Sequence, residues 1–344
     1  MTPGVHLIST PCSFLHSYES ERLVISQISS NAGDSAYYGH PGPFQHHFYA
    51  LQVPVSQEEQ PGVFRWDLYP DDVVAILSLF FGKRILHHGP IWLPPFWSLP
   101  ELQSVRPNSY HSLEFYSGEH SKTPRREPDW REVARLSGQI RGLEARSEIS
   151  SRMTVAAKAY AESLTLLPFD RELAYFRLIQ ALESVIDPGE FTEEERYSHD
   201  ASLMAHLEWL ESLDDPRGKK VASFLRSRLY QIKRSVILWV SRHIRDDFYS
   251  TEPGAITSVN LMKALSGAYD LRSRYVHTGE DFGVWIDPAR GRCEGLETVP
   301  RGFSEICPDK TLRKTLQKAP SYLGLERLVR YLLVSILEKH DGDS

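Results

Sequence analysis

The chain has 344 residues, of which 41% are hydrophobic and 24% are charged, and this composition excludes collagen-like, disordered and coiled-coil classes for the chain as a whole. Its 39 basic and 45 acidic residues give a net charge of -6, which argues against nonspecific coating of nucleic acid but allows a local basic site. A chain of this length favours two domains.

The sequence does not indicate export or a membrane segment. No run approaches about 18 uninterrupted apolar residues, and Pro3 and Gly4 interrupt the pattern of a signal peptide. The three cysteines, Cys12, Cys293 and Cys307, are too few and too widely spaced for a disulfide framework, which favours a reducing compartment. We therefore expect a cytoplasmic protein that does not enter the membrane.

The first 116 residues alternate short apolar runs with turns rich in Gly, Pro, Ser and Asn, which is typical of strands. We expect strands at 5–9, 23–28, 47–55 and 112–116, and one helix at 71–81 that Gly82 ends. Residues 117–128 contain no large apolar side chain and are typical of an exposed connector. The sequence thus predicts a sheet-containing α+β domain over 1–116, followed by a linker and connecting helix over 117–149.

Beyond the connector, the apolar residues recur with a helical period. Candidate helices lie near 130–146, 150–167, 171–187, 199–214, 219–248, 258–277 and 321–339. Residues 279–306, rich in Gly, Pro and Asp, are expected to form a surface excursion, with a hairpin as one option. We predict an all-α domain over 150–344.

The helix near 258–277 places a charge where apolar residues are expected. Its stripe runs through Leu261, Leu265, Ala268 and Arg272. A charged side chain on such a stripe is costly unless it is paired or lies at an interface. His277 follows Arg272 by five residues, and Gly279 is a suitable C-cap for the helix. The arginine and the histidine are therefore the first candidates for a functional pair.

Two segments have a family-like pattern. The run Arg272-Ser273-Arg274-Tyr275-Val276-His277-Thr278-Gly279 resembles the Arg-Ser-x-x-Val-His-x-Gly signature of the ApeA-like branch of the HEPN superfamily. The helix that ends in Ala181-Leu182-Glu183 is similar to the first core helix of that branch. The resemblance covers roughly residues 150–340 and implies a HEPN helical bundle that dimerises, so that two Arg/His pairs face one cleft.

The resemblance also implies an activity, because many HEPN proteins are metal-independent ribonucleases that use no cofactor. Histidine moves protons near neutral pH and arginine offers a rigid fork to phosphate, so His277 would be the general acid/base and Arg272 would stabilise charge on the phosphate. By analogy, such a nuclease is a toxin or antiphage defence effector, with a trigger or antitoxin acting through the N-terminal domain. The alternative is a non-catalytic HEPN scaffold that only dimerises or binds RNA.

The spacing of the pair constrains its geometry. An ideal helix sets residues five apart about 140° apart around its axis, so Arg272 and His277 do not share a face. The site needs either a distorted last turn or a second chain. Ser273 and Arg274 share the face of His277 and could orient its ring or contact a phosphate, and Asp270 could hold the imidazole.

Residues 219–245 contain no acidic side chain, which makes this segment the best candidate for an RNA-backbone track. The cations assigned to that track are Lys219, Lys220, Arg226, Arg228, Lys233 and Arg234. The alternative is the solvated face of one long amphipathic helix over 219–248.

Two further features are open to simpler interpretations. Glu183 follows Phe176 by seven residues, so it could lie near the Arg/His pair or be an ordinary surface glutamate. Neighbouring histidines at 46–47 and 87–88 suggest a metal site. However, adjacent residues on a strand point to opposite faces, and no matching Cys/His/Asp cluster accompanies them, so we expect no metal.

Overall fold

The computed structural model of the chain describes residues 4–10, 14–27, 47–53, 68–90, 128–145, 148–187, 190–192, 195, 201–228, 232–251, 253–287 and 296–339. Within these residues, an N-terminal sheet of five strands precedes a C-terminal part that is mostly helical. The predicted order of a sheet-containing part before a helical part is therefore confirmed.

The sheet is antiparallel throughout. Its strands are β1 (Gly4–Thr10), β2 (Tyr18–Glu19), β3 (Val24–Gln27), β4 (His47–Val53) and β5 (Leu86–Pro90). They lie in the order β2-β3-β4-β1-β5, so β1 pairs with β4 on one side and with β5 on the other. Because side chains alternate along a strand, Ile8, Tyr49 and Leu51 point together into the core.

The strands predicted at 5–9, 23–28 and 47–55 correspond to β1, β3 and β4, with the described ends shifted by one or two residues. The strand predicted at 112–116 lies outside the described residues. The sequence does not predict β2, which has two residues, or β5, whose Leu-His-His-Gly-Pro sequence contains none of the β-branched residues that favour strands.

Twelve α-helices lie in the described residues. They are α1 (Leu68–Phe81), α2 (Ser137–Ala145), α3 (Glu148–Leu166), α4 (Arg171–Val185), α5 (Ala201–Ser212), α6 (Pro216–Arg228), α7 (Ile232–His243), α8 (Leu261–Thr278), α9 (Gly283–Ile286), α10 (Arg301–Glu305), α11 (Lys310–Leu316) and α12 (Tyr322–Lys339). Short 3-10 helices occupy Trp130–Leu136 and Asp246–Phe248, so the helix predicted near 130–146 starts in a tighter winding.

The centre of the helical part is the pair α3 and α4, against which α8 and α12 pack. Asp170 begins α4 by accepting a hydrogen bond from the Leu173 amide at 2.8 Å. Ser163 of α3 donates to the Ala174 carbonyl of α4 at 2.7 Å and bonds the Tyr322 hydroxyl of α12 at 2.8 Å. These bonds join three helices where their apolar faces meet, and they satisfy polar groups that would otherwise be buried without a partner.

The sheet and the helical bundle share one apolar core. Trp130, at the start of the 3-10 helix, is fully buried and stacks on Phe14 with ring centroids 3.9 Å apart. The rings of Tyr49 from β4 and Phe81 from α1 contact its edges at 5.2 and 5.4 Å. Helix α1 in turn packs on α3, so one continuous cluster of buried apolar residues runs through both parts. The boundary predicted at 117–128 falls almost wholly outside the described residues.

Two predictions for the helical part need correction. The single helix expected over 219–248 is described as two helices, α6 and α7, because they bury different faces: α6 packs on α5, whereas α7 packs on α8 and α4. Residues 229–231 between them lie outside the described part. In the excursion at 279–306, the described residues form the short helices α9 and α10 rather than a hairpin.

A buried charged cluster also joins the two parts. Glu326 of α12 is fully buried and accepts a hydrogen bond from the Tyr160 hydroxyl at 2.5 Å. Arg330, one turn further along α12, donates to the Phe80 carbonyl of α1 at 3.0 Å. Burial raises the pKa of Glu326 to about 7, although the charges of Arg330, Lys83 and Arg327 oppose that shift. Near neutral pH this carboxyl therefore titrates inside the core.

Glu326→Gln is expected to flatten the pH dependence of stability. The folded protein holds a proton on Glu326 that the unfolded chain loses above a pKa near 4.5, so the free energy of unfolding is highest below that value and falls as the pH rises through about 7. Between about pH 5 and pH 8, the change in protonation of Glu326 should lower the free energy of unfolding of the wild type by on the order of 2 kcal/mol. Urea unfolding of both proteins across this range measures the difference, and equal pH slopes would contradict the assignment.

Candidate active site on helix α8

Helix α8 carries both residues of the predicted pair. Gly279 adopts the left-handed conformation, with φ of 66°, and its N–H donates to the Tyr275 carbonyl at 2.9 Å, which confirms the predicted end of the helix. Gly267 allows the helix to lie close to the chain before α12, since a Cβ at this position would lie 2.5 Å from the Ala319 nitrogen. This close approach fixes the first half of α8, and Gly279 ends the helix at an exposed last turn.

The Arg272 side chain turns towards α4. Its Nη2 lies 3.3 Å from Glu183 Oε2, and its guanidinium carbon lies 5.2 Å from the centre of the Phe176 ring. The side chain is 30% exposed, so the guanidinium is neither fully buried nor freely hydrated. Its Nη1 makes no hydrogen bond to the described part of the chain. Arg272 is thus held by a carboxylate and an aromatic ring, and it keeps donors for a ligand.

A tyrosine completes the support of this arginine. The Tyr269 hydroxyl donates to Glu183 Oε1 at 3.0 Å, so one carboxylate binds both residues of α8. Burial raises the pKa of Tyr269, and the negative charge of Glu183 raises it further, so the phenol stays protonated and donates. Glu183 is only 16% exposed and lies beside Arg272, unlike an ordinary surface glutamate.

His277 lies in the last turn of α8 and is exposed. Within the described residues, its imidazole makes no hydrogen bond or ion pair, and none links it to Arg272. The neighbouring Val276 is 57% exposed, so the surface around the ring is partly apolar. Within the described part of the chain, no direct bond therefore joins the arginine to the histidine, in agreement with their angular separation on a regular helix.

The predicted supporting residues are placed differently from the expectation. Asp270 does not hold the imidazole, because its carboxylate lies 2.6 Å from the Lys233 ammonium of α7. The Arg274 guanidinium, which was expected to orient the His277 ring or contact a phosphate, pairs with Asp309 at 2.5 Å and with Glu280. Ser273 is exposed. Asp270 and Arg274 thus hold α8 against α7 and α11 in this chain.

The electrostatics agree with a structural role for Arg274. The Leu312 amide at the start of α11 lowers the pKa of Asp309, and Arg274 lowers it as well, so this carboxylate stays ionised. Burial alone would lower the pKa of Arg274, but Asp309 and Glu280 together raise it. The charges in this cluster are therefore mutually satisfied.

The predicted RNA track is split between two helices. Lys219 and Lys220 are exposed on α6. The side chains of residues 226 and 228 lie outside the described part. Lys233 and Arg234 are on α7, where Lys233 is committed to Asp270 and Arg234 is half-buried. Only the α6 end of the track therefore presents described cations that are open to solvent.

Sequence reasoning missed a histidine chain in the sheet. His6 Nδ1 lies 3.0 Å from His87 Nε2, and His87 Nδ1 lies 2.6 Å from Asp71 at the start of α1. The other histidine of the pair, His88, bonds Ser9 at 2.6 Å. The alternation of β5 indicates that the two rings diverge, but His6 is 81 residues away from His87 in sequence, and only the strand pairing reveals it.

Comparisons of the chain with protein-family models, with curated proteins and with solved structures found no match. In the described part of the chain, no group of three or more His, Cys, Asp or Glu side chains is arranged to hold a metal ion. None of the described helices has the length and apolar character needed to cross a bilayer. The candidate site therefore rests on its own geometry and on the sequence resemblance.

A double-mutant cycle should show that Glu183 and Arg272 are energetically coupled. Glu183→Ala and Arg272→Ala each leave a half-buried partner unpaired, so we expect a coupling free energy of about 1 kcal/mol in urea unfolding. The Glu162–Arg177 pair is the matched control, because its atoms lie 3.0 Å apart but its carboxylate is 54% exposed. Its coupling should stay below about 0.5 kcal/mol. Equal coupling in the two cycles would contradict the assignment.

Proposed function

We propose that this chain is a metal-independent endoribonuclease of HEPN type that acts as a homodimer. The observation that carries the proposal is the end of α8, where Arg272, partly exposed and fixed by Glu183, precedes by five residues an exposed His277 whose imidazole has no partner among the described residues. An exposed histidine can exchange protons with a ligand, and an anchored guanidinium can bind a phosphate without first being ordered.

The chemistry follows from these two side chains. The imidazole of His277 takes the proton from a ribose 2′-OH, whose oxygen attacks the adjacent phosphorus. The bond from phosphorus to the 5′ oxygen breaks, and that oxygen receives a proton from an imidazolium. Arg272 stabilises the negative charge on the phosphate in the transition state. The products are a 2′,3′-cyclic phosphate and a 5′-OH, and no metal or other cofactor enters the step.

In the proposed homodimer, a second copy of the chain would bring an Arg272 and a His277 close together. Since Arg272 faces α4 and His277 faces solvent, the proposed cleft combines residues from both copies. The exposed side of α8 offers Met262 and Val276, which are 37% and 57% exposed, as apolar contacts for that copy. Light scattering should therefore show a dimer, and a strict monomer at micromolar concentration would contradict the shared cleft.

The product ends test the reaction itself. Single-stranded RNA of mixed sequence, incubated with the purified chain in excess EDTA, should yield fragments with 2′,3′-cyclic phosphate and 5′-OH ends. A single 2′-deoxyribose on the 5′ side of a cut phosphate should abolish that cut, because the nucleophile is removed. Fragments with 5′-phosphate ends, or cutting that does not need the 2′-OH, would contradict the mechanism.

One observation favours a non-catalytic alternative. Arg272 is already ion-paired with Glu183, and the same bonds would suit a purely structural arginine in a scaffold that dimerises or binds RNA. The scaffold predicts a dimer and RNA binding with no cleavage in any condition. By analogy, we extend the nuclease proposal to a biological role as a cytoplasmic toxin or antiphage effector. Its trigger or antitoxin would be a protein that binds the N-terminal part.

A further inference from the structure

Strand β5 lies at one edge of the sheet, and in the described part of the chain it pairs with β1 alone. This pairing is irregular, because its register shifts between His6 and Ile8 of β1. On β5, Pro90 has no N–H to donate, and Gly89 has a positive φ of 91°, outside the range of regular strands. The backbone ladder therefore holds this end of β5 weakly.

Three side chains bridge the two strands at this irregular point. His6 Nδ1 lies 3.0 Å from His87 Nε2, and His87 Nδ1 lies 2.6 Å from an oxygen of the Asp71 carboxylate. The Asp71 side chain is 45% exposed, that of His87 is 9% exposed, and His6 is buried, so the histidine chain leads inwards from the surface. It joins β1, β5 and the first turn of α1.

The hydrogen bond between the two imidazoles holds a single proton. The Asp71 carboxylate only accepts, so His87 Nδ1 carries a proton and donates it. A neutral His87 then accepts at Nε2 from His6 Nδ1, whereas a protonated His87 donates from Nε2 to a neutral His6. When both rings are protonated, two N–H groups and two positive charges face each other, and the bond is lost.

The elements packed around the histidine chain add mostly cations or groups that become cations in acid. These groups are Asp72 on α1, Lys83 and Arg84 between α1 and β5, His88 on β5, His47 on β4 and Lys158 on α3. Asp72 is committed to the Lys158 ammonium at 2.5 Å. Burial lowers the pKa of His88, and the charge of His87 lowers it further. Among these described groups, Asp71 alone is placed to balance a charge on the two rings, and it balances one.

We infer that His6, His87 and Asp71 form an acid-sensitive switch, which holds β5 on β1 while at most one ring is protonated and releases β5 when both are. The released state takes up one more proton than the paired state, so acidification favours release. Histidine in model peptides titrates near pH 6.5, so release is expected as the pH falls from about 7.5 to about 5. Release uncovers the edge of β1, whose backbone groups can then pair with another strand.

Hydrogen exchange of the β5 amides in the full chain tests the switch, with exchange rates corrected for the intrinsic effect of pH. The internal reference is β3, because its Val24–Gln27 sequence has no titratable side chain. Between about pH 7.5 and about pH 5, the protection of β5 should fall by about 10-fold or more while β3 stays protected. The size follows from the proton taken up on release, which changes the equilibrium up to about 10-fold per pH unit.

His6→Gln and His87→Gln each remove one titrating ring from the switch. The quantity compared is the dependence of β5 protection on pH, so a variant that weakens β5 equally at every pH still gives an answer. In both variants this dependence should fall to that of β3. The matched control is His88→Gln, which changes the neighbouring ring of the same strand and should keep the larger part of the wild-type dependence.

Three results would overturn the inference: protection of β5 that does not depend on pH in the wild type, an unchanged dependence in both His6→Gln and His87→Gln, or a dependence that His88→Gln alone removes. Loss of protection in β3 in parallel with β5 would also overturn it, because acid would then unfold the sheet as a whole rather than release its edge.

Discussion

Replacing Arg272 with alanine is expected to slow RNA cleavage by about 10²- to 10³-fold, which is the usual cost of removing one anchored group that stabilises transition-state charge. The guanidinium is held by Glu183 at 3.3 Å and by the Phe176 ring, so the protein has already fixed its position before RNA binds. Arg272→Lys should recover only part of the rate, because an ammonium cannot pair with Glu183 and also present a planar fork to phosphate.

Arg177→Ala is the control for this comparison. Arg177 also lies on the bundle surface, is 33% exposed and pairs with a carboxylate, but it is on α4 and has no part in the proposed site. Its cleavage rate should match the wild type. If Arg272→Ala cleaves as fast as Arg177→Ala at a temperature at which both variants are fully folded, the phosphate-binding role is excluded.

Trp130→Ala is expected to lower the free energy of unfolding by about 3–5 kcal/mol, the cost of removing a large buried aromatic side chain. Trp130 is fully buried and contacts the rings of Phe14, Tyr49 and Phe81, which come from three separate segments of the N-terminal part. The loss should thus affect the whole protein rather than one part. Urea unfolding followed by circular dichroism measures it.

Trp209→Ala provides the matched control, since Trp209 is 60% exposed and should change stability by less than about 0.5 kcal/mol. The shared core predicts a single unfolding transition for the wild type. Two well-separated transitions, with Trp130→Ala weakening only one of them, would show that the sheet and the bundle fold as independent units.

Local patterns were enough to predict several parts of this fold. The helical period located α3, α4, α8 and α12 to within a few residues, and Gly279 marked the end of α8 because a left-handed cap favours glycine. The position of Arg272 on an apolar stripe predicted that it needs a partner. These inferences depend on neighbours within a few residues, where sequence order and spatial order coincide.

Contacts between distant segments could not be predicted in the same way. Glu183 lies 89 residues before Arg272, and Lys233 lies 37 residues before Asp270, so the pairing of each follows from helix packing rather than from spacing. Arg274 pairs with Asp309, 35 residues further along the chain, and this ion pair could not be predicted from helix spacing for the same reason. The shared core was not predicted, because no continuous sequence pattern connects Phe14 with Trp130, on which it stacks.

In the proposed reaction, His277 carries proton transfer in RNA cleavage without a metal. The most direct measurement compares wild type with His277→Ala on single-stranded RNA in excess EDTA, with His206→Ala, another exposed histidine, as the control. We predict that wild type and His206→Ala release 2′,3′-cyclic phosphate ends, and that His277→Ala is slower by about 10²- to 10⁴-fold with unchanged melting temperature. Equal cleavage by wild type and His277→Ala would contradict the account.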